Sequence, residues 1–148
     1  MDLIDEGQVP GQRNSAGTLI VGPSGVPVWN TPTIDPQRNA LYFGTGNNYS
    51  PPATGLSDSI LALDMTTGKI KWRRQQTEND IWNGTCRRPD REAASCPDAD
   101  SPDVDFSVSP VLVSSGGRQM LIAGNKSGMI WALDPDQQGK LIWERQVG

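Results

Sequence analysis

The chain has 148 residues, of which 35% are hydrophobic, and it carries a formal net charge of −4 with no histidine. The acidic balance argues against nucleic acid as a partner, because no cluster of lysine or arginine is present to neutralise phosphates. No apolar run approaches the roughly 18 residues of a membrane span, and the N-terminus lacks the basic region and apolar core of a signal peptide. The 16 glycines and 12 prolines favour many short strands joined by turns.

The first hairpin is predicted after a Gly-, Pro- and Ser-rich stretch over residues 1–27. Val28 and Trp29 open an apolar segment, and an Asp-Pro turn at 35–39 separates it from the strand 40–44. Asp-Pro favours turn initiation, so 28–34 and 40–44 are predicted to pair antiparallel. A Gly-rich loop then leaves this hairpin.

A second hairpin occurs twice, over 59–72 and 129–143. In each copy an apolar strand ends in Asp, a polar turn with Gly and Lys follows, and a second strand closes on Trp; the second turn has one extra residue. The paired positions are Asp64 and Asp134, Gly68 and Gly139, Lys69 and Lys140, and Trp72 and Trp143. A repeated hairpin predicts successive blades of a β-propeller or a β-solenoid, with each Trp ring mostly buried against a neighbouring blade.

A polar insertion over about residues 79–104 separates the two repeats, and it contains Cys86 and Cys96. A zinc site is improbable without histidine or further cysteines. A local disulfide is the preferred interpretation and fits an oxidising compartment; two unrelated thiols are the alternative. Beyond the insertion, residues 104–113 alternate as a strand does, and Gly116-Gly117 turns the chain into another strand at 119–124.

The expected fold is all-β: two to three blades of a larger propeller, because a closed propeller needs at least about four. Residues 1–148 then form one partial propeller domain, with blade repeats at about 28–76 and 104–146. The loops after Gly46 and Gly124 are predicted to occupy the same place in successive blades. Such loops lie on one face of a radial fold, so Asn47, Lys126 and an Asp of the insertion are expected to converge.

These patterns resemble the quinoprotein alcohol dehydrogenases that use pyrroloquinoline quinone (PQQ). Their blade signature, Asp-x-x-Thr-Gly-Lys-x-x-Trp, is present at 64–72 and in degenerate form at 134–143. The segment 28–47 resembles the family's cofactor-pocket floor, and the Cys insertion with 102–112 looks closest to the polyvinyl-alcohol dehydrogenase branch. The resemblance implies an eight-bladed parent propeller, of which this chain looks like a fragment.

The resemblance also implies roles for four residues. Trp29 would stack beneath PQQ, where an ordinary core Trp is the alternative. Asn47 would give calcium an amide oxygen, although Asn is also favoured in a left-handed turn. Asp105 would lie beside the calcium and take the alcohol proton, and Lys126 would hold the quinone oxygens unless it is simply a solvated turn Lys. The rivals of Asp105 as base are Asp103 and Asp80.

The implied activity is oxidation of a primary or secondary alcohol, with polyvinyl alcohol as a candidate, by hydride transfer to PQQ in a calcium-dependent enzyme. Electrons would pass to a cytochrome c, and the location would be the periplasm. The family's calcium-binding Glu and PQQ-carboxylate-binding Arg come from blades outside this chain, so the isolated fragment is expected to be inactive without its remaining propeller blades. A non-catalytic propeller scaffold is the main alternative. A hydrolytic propeller is a weaker one, because Asp103 and Asp105 are too close in sequence to flank a substrate.

Overall fold

The computed structural model describes residues 9–13, 17–87, 95–98 and 100–148. This part of the chain contains twelve β-strands and two short 3₁₀ helices, Gly84–Arg87 and Pro135–Gln137. The strands are β1 (Val9–Arg13), β2 (Leu19–Gly22), β3 (Ser24–Gly25), β4 (Thr33–Asp35), β5 (Ala40–Gly44), β6 (Asn48–Ser50), β7 (Ser59–Asp64), β8 (Ile70–Gln75), β9 (Val111–Ser115), β10 (Arg118–Gly124), β11 (Met129–Asp134) and β12 (Lys140–Gln146). No helix among the described residues is long and apolar enough to cross a membrane. The predicted all-β class is confirmed.

Eight of the strands form two four-stranded antiparallel sheets with the same order. The first sheet is β4-β5-β7-β8 and the second is β9-β10-β11-β12. Each sheet is a meander in which each strand pairs with the next strand of that sheet. The strand β6 lies between β5 and β7 in the sequence but pairs with β3 instead. A small antiparallel pair, β1-β2, precedes them.

The repeated hairpins are equivalent down to their irregularities. Trp72 pairs with Ala62 and Trp143 pairs with Ala132, and in both hairpins the register shifts directly after that alanine. The glycines of the two turns, Gly68 and Gly139, both adopt the left-handed backbone, with φ of 72° and 68°. The prediction of one hairpin used twice is therefore confirmed.

The turns are closed by their aspartates. Asp64 accepts hydrogen bonds from the amides of Thr66 and Thr67 at 3.0 and 2.8 Å. Asp134 caps the short helix in the second turn by accepting from the amide of Asp136 at 2.9 Å. This local bonding explains why an Asp stands at the end of each inner strand of the repeat.

Three strand details of the sequence interpretation were wrong. The pairing predicted for 28–34 with 40–44 is antiparallel but covers only Thr33–Asp35. Gly44, not Gly46, is the counterpart of Gly124, because these two residues pair with Ile60 and Ile130 in equivalent registers. The strand predicted over 104–113 begins only at Val111. The residues before it bond elsewhere: the amide of Phe106 donates to Thr45 and its carbonyl accepts from Asn30.

The two repeat tryptophans differ in burial. The Trp72 ring is half-buried, stacks obliquely on Tyr42 with centroids 5.7 Å apart, and lies against Gly139 of the second sheet. Trp143 is 43% exposed. The prediction that both rings are mostly buried was thus wrong for Trp143, because no sheet in the described part of the chain covers the outer face of the second sheet.

The main core lies between the two sheets. Phe106, from the segment entering β9, packs in it with its ring 5.5 Å from that of Trp131. The other buried members are Ala40, Tyr42, Ile60, Ala62, Leu121, Ala123 and Leu133. The core fixes the two sheets face to face, so the residues leading into β4 and β9 and those leaving β5 and β10 meet at one end. We call this the cleft end and the opposite one the far end.

Candidate functional site

The cleft end carries an open cleft of about 430 Å³. It is lined by all four residues to which the sequence analysis gave a role, namely Trp29, Asn47, Asp105 and Lys126, and also by Tyr49, Trp82, Asn83, Gly84, Arg87 and Asp103. The expected convergence of Asn47, Lys126 and an Asp of the insertion is therefore observed. Their roles stay predictions at this point.

Asp105 is buried and is held on both sides of its carboxylate. Its Oδ1 accepts a hydrogen bond from the amide of Asn47 at 2.9 Å, and its Oδ2 accepts one from the ammonium of Lys126. The approach needs a glycine, because a Cβ on Gly46 would overlap Oδ1 of Asp105. The carboxylate is thus fixed by groups from both sheets' loops.

Asn47 is buried with its amide in a defined orientation. Its Nδ2 donates to the carbonyl of Trp82 at 2.7 Å, whereas Oδ1 has no protein partner among the described hydrogen bonds. Asn47 does not have a left-handed backbone, so the turn-former interpretation was wrong for it. Asn48 is structural instead: its side chain bonds to Thr54 and to the carbonyl of Ser24.

Lys126 is partly exposed and bridges two carboxylates. Its Nζ donates to Oδ1 of Asp103 at 3.0 Å as well as to Asp105. Burial by itself would lower the pKa of Lys126, but the hydrogen bonds to Asp105 and Asp103 outweigh it and raise that pKa. Lys126 is therefore a cation of the cleft rather than a free turn lysine.

The two rivals of Asp105 occupy different places. Asp103 faces the cleft but forms ion pairs with both Lys126 and Arg87, the latter at 2.8 Å. Asp80 is fully buried and does not line the cleft; its carboxylate accepts from the amides of Asp103 and Val104 at 3.3 and 3.0 Å. Asp80 therefore has a structural position, and it is out of reach of a substrate in the cleft.

Trp29 is 60% exposed at the edge of the cleft. Trp29 is thus not part of the core of the described residues, and its ring lines the cleft. A ring in this position can bury a large apolar area against a planar group in the cleft.

The cysteine insertion forms one wall of the cleft, which sequence reasoning missed. Cys86 and Cys96 form a disulfide with Cα atoms 4.8 Å apart, as predicted. Arg87, next to Cys86, lies 4.8 Å over the Trp82 ring while it pairs with Asp103. The sequence signal for this wall was the position of Trp82 and Arg87 at the start of an insertion that carries two cysteines.

The family model for the glucose/ethanol/alcohol dehydrogenase β-propeller domain, which carries the name PQQ, matches residues 5–88. The chain belongs to this family. The sequence is 40% identical to the polyvinylalcohol dehydrogenase of Sphingopyxis sp. (strain 113P3) over 139 residues, which cover 93% of this chain and 21% of that protein. It is 30% identical to the quinohemoprotein alcohol dehydrogenase of Comamonas testosteroni over 125 residues, or 78% of this chain and 15% of that protein.

The fold agrees with this assignment. The crystal structure of the Comamonas testosteroni quinohemoprotein alcohol dehydrogenase matches with a TM-score of 0.58 and 27% identity, covering 84% of this chain and 18% of that chain. The two sheets are thus two blades of a quinoprotein β-propeller. The chain spans about a fifth of the length of the polyvinylalcohol dehydrogenases that it matches.

Proposed function

We propose that this chain supplies part of the catalytic site of a PQQ- and calcium-dependent alcohol dehydrogenase. The observation that carries the proposal is the convergence of Trp29, Asn47, Asp105 and Lys126 on one cleft. An aromatic face, a neutral oxygen donor, a carboxylate and a cation are the groups that a flat anionic quinone, a calcium ion and an alcohol require together.

Trp29 is proposed as the surface beneath the cofactor. Its exposed ring at the edge of the cleft fits one face of a planar ring system. When bound, PQQ supplies an electrophilic carbonyl that accepts hydride from the alcohol. Lys126 would hold the quinone oxygens and would offset negative charge on them.

Asn47 and Asp105 are proposed as calcium ligands, and the chemistry of the donors fits. Calcium takes about six to eight oxygen ligands from carboxylates and amide carbonyls. The Oδ1 of Asn47 has no protein partner among the described residues, because its Nδ2 is committed to the carbonyl of Trp82. The described part of the chain has no group of three or more acidic, Cys or His side chains placed for a metal. The other ligands would come from the cofactor and from the remaining blades.

Asp105 is proposed as the base that takes the alcohol proton on its Oδ2. Two hydrogen bonds hold the carboxylate in position, because Lys126 donates to Oδ2 and the amide of Asn47 donates to the other oxygen. A base must lie within hydrogen-bond reach of the substrate hydroxyl. Lys126 has a second carboxylate partner in Asp103, so it can leave Oδ2 without losing its neutralising contact.

The family points to the substrate class and the setting. We propose a primary or secondary alcohol as substrate, with polyvinyl alcohol as the first to test because of the 40% identity to a polyvinylalcohol dehydrogenase. Cytochrome c is the proposed electron acceptor. The disulfide supports a periplasmic location.

A non-catalytic scaffold explains the cleft less well. Such a protein needs the blades but has no use for a buried carboxylate that is held against a lysine beside an unpartnered amide oxygen. Buried polar groups of this kind are costly and are kept where they act. The cleft therefore favours the enzyme.

The test is the Asp105→Asn variant in the complete protein that contains this chain, with Asp103→Asn as the matched control two residues away. Asn keeps an oxygen donor but is no base, so we expect turnover to fall by about 10²- to 10⁴-fold. PQQ content, measured by absorbance, should stay unchanged. Full turnover in Asp105→Asn, or the larger loss in Asp103→Asn, would contradict the assignment.

A further inference from the structure

Asp58 is a buried acid that the proposed chemistry does not use. It is fully buried in the loop before β7, and neither of its carboxyl oxygens has a hydrogen-bond donor among the described residues. Its backbone is left-handed, with φ of 45°, a conformation that favours glycine. A buried, unpartnered carboxyl group in an unfavourable backbone conformation calls for a physical explanation.

The backbone of Asp58 ties the cleft to the first sheet. Its amide donates to the carbonyl of Gly46 at 3.1 Å, one residue before Asn47, and its carbonyl accepts from the amide of Gln76 at 2.9 Å. The residue is therefore held in place with its side chain buried.

Asp80 is a second fully buried acid held by the same segment as Asp58, because its backbone carbonyl accepts from the amide of Asn48 at 3.0 Å, two residues after Gly46. Asp80 accepts hydrogen bonds from the Ser101 hydroxyl at 2.9 Å and from the amides of Asp103 and Val104. The carboxylate of Asp80 is thus the anchor of the segment that carries Asp103 and Asp105 into the cleft.

Two ionised carboxylates cannot donate to each other, and burial makes their repulsion costly. A single shared proton removes both problems. We propose that Asp58 keeps its proton at neutral pH and donates a hydrogen bond to Asp80, so that the pair positions the segment bearing the catalytic base. The claim about the base rests on the proposed function; the claim about the proton does not.

The electrostatics agree with this geometry. Burial, followed by the negative charges of Asp80 and Asp105, raises the pKa of Asp58 to about 9, with a smaller contribution from Asp103. Lys126 is the cation of the same cluster, and its ammonium pairs with Asp103 and Asp105 rather than with Asp58. Asp58 is therefore the acid in the group that stays neutral.

The pH dependence follows in sign. Above the ordinary pKa of 3.8, the unfolded chain releases the Asp58 proton, whereas the folded chain keeps it up to about 9. Folding then requires proton uptake, so Asp58 lowers stability progressively as the pH rises through this window. The Asp58→Asn variant removes that penalty, and its side-chain amide can donate to Asp80 as the proton does.

The experiment compares Asp58→Asn with the unsubstituted full chain by thermal unfolding at pH 5 and pH 8. We expect the Tm advantage of the variant to grow with pH and to reach about 5 °C or more at pH 8. Parallel pH profiles, with the variant less stable at both values, would overturn the proposal. So would a calcium-induced rise in Tm that Asp58→Asn abolishes, because it would mean that a cation bridges two ionised carboxylates.

Infrared spectroscopy gives a second readout that a merely structural role would not move. The carbonyl stretch of a protonated carboxylic acid should be present at pH 7, absent in Asp58→Asn and retained in Asp105→Asn. Absence of the band from the unsubstituted chain would overturn the proposal even if Asp58→Asn fails to fold. Neither readout needs PQQ or turnover, so this inference and the proposed function can fail separately.

Discussion

The charged side chains differ in role between the two ends of the paired blades. At the far end they connect the blades, and at the cleft end they line the candidate site. At the far end, Arg38 donates to Asp35 and Gln119 and makes a bidentate pair with Asp136, at distances of 2.6 to 2.9 Å. Tyr42 completes this network by donating to Asp35 at 3.0 Å. Arg38 comes from the first blade, and both Gln119 and Asp136 belong to the second, so the network links the two blades by hydrogen bonds.

At the cleft end the charges are also paired, yet the pairing leaves groups available. Lys126 pairs with both Asp103 and Asp105, and the Oδ1 of Asn47 accepts no hydrogen bond from the described residues. The loops at this end differ in length. Residues 45–58 connect β5 to β7 in the first blade, whereas only residues 125–128 connect β10 to β11 in the second. The two sheets have the same strand order, and at the far end their turns hold the blades together. At the cleft end the connecting loops differ in length, and they form the candidate site.

Among the substitutions that compare the two ends, the largest effect should come from Gly46→Ala, because Gly46 closely approaches Asp105. A methyl group in Gly46→Ala would overlap Oδ1 of Asp105 and push the carboxylate out of position. In the complete protein we expect turnover to fall by about 100-fold or more, because a misplacement of about 1 Å is enough for that loss. Steady-state kinetics with PQQ-loaded protein would measure it.

Gly84→Ala is the matched control, since Gly84 also lines the cleft but a methyl group there meets open space. Its turnover should stay near that of the unsubstituted protein. An equal loss of turnover in the two variants would mean that any added methyl group in the cleft is harmful. The loss in Gly46→Ala would then not support a catalytic role for Asp105.

A far-end substitution should act on stability alone. Arg38 is only 12% exposed, and its hydrogen bonds to Asp35, along with that of Tyr42, outweigh burial and lower the pKa of Asp35. Arg38→Met would leave the buried Asp35 without its cation, at a cost of about 3 kcal/mol in the free energy of unfolding. Denaturant unfolding measures this cost, and turnover per folded molecule should not change.

Arg145→Met serves as the control for Arg38→Met, because Arg145 is exposed and has no ion pair among the described residues. Its effect should stay within about 0.5 kcal/mol. If Arg38→Met instead lowered turnover while leaving stability intact, the far end could not be assigned a purely structural role.

The sequence predicted the blades well because their determinants are local. A turn Asp, a Gly with positive φ and a closing Trp repeat at matching positions, and each acts within a few residues of itself. The strand expected over 104–113 failed because its alternation reflects long-range contacts: Phe106 enters the core between the blades, and Asp105 turns to the cleft.

The cleft was predicted only in part, and the reason is again distance along the chain. Family resemblance pointed to Trp29, Asn47, Asp105 and Lys126 as individual residues. Their partners are brought in by the cross-linked insertion and by the loop before β7, which read as ordinary polar sequence. Asp58 is the clearest case: it looks like a solvated loop acid, and only the fold reveals that it is fully buried beside Asp80.

The cleft end is proposed to be part of a PQQ and calcium site. The most direct measurement is anomalous diffraction from crystals of the complete protein grown with PQQ and calcium. We predict a calcium peak about 2.3–2.6 Å from the Oδ1 of Asn47 and from a carboxylate oxygen of Asp105, with the Trp29 ring facing the quinone. A calcium ion and a quinone that both lie away from Asn47 and Asp105 would contradict the account.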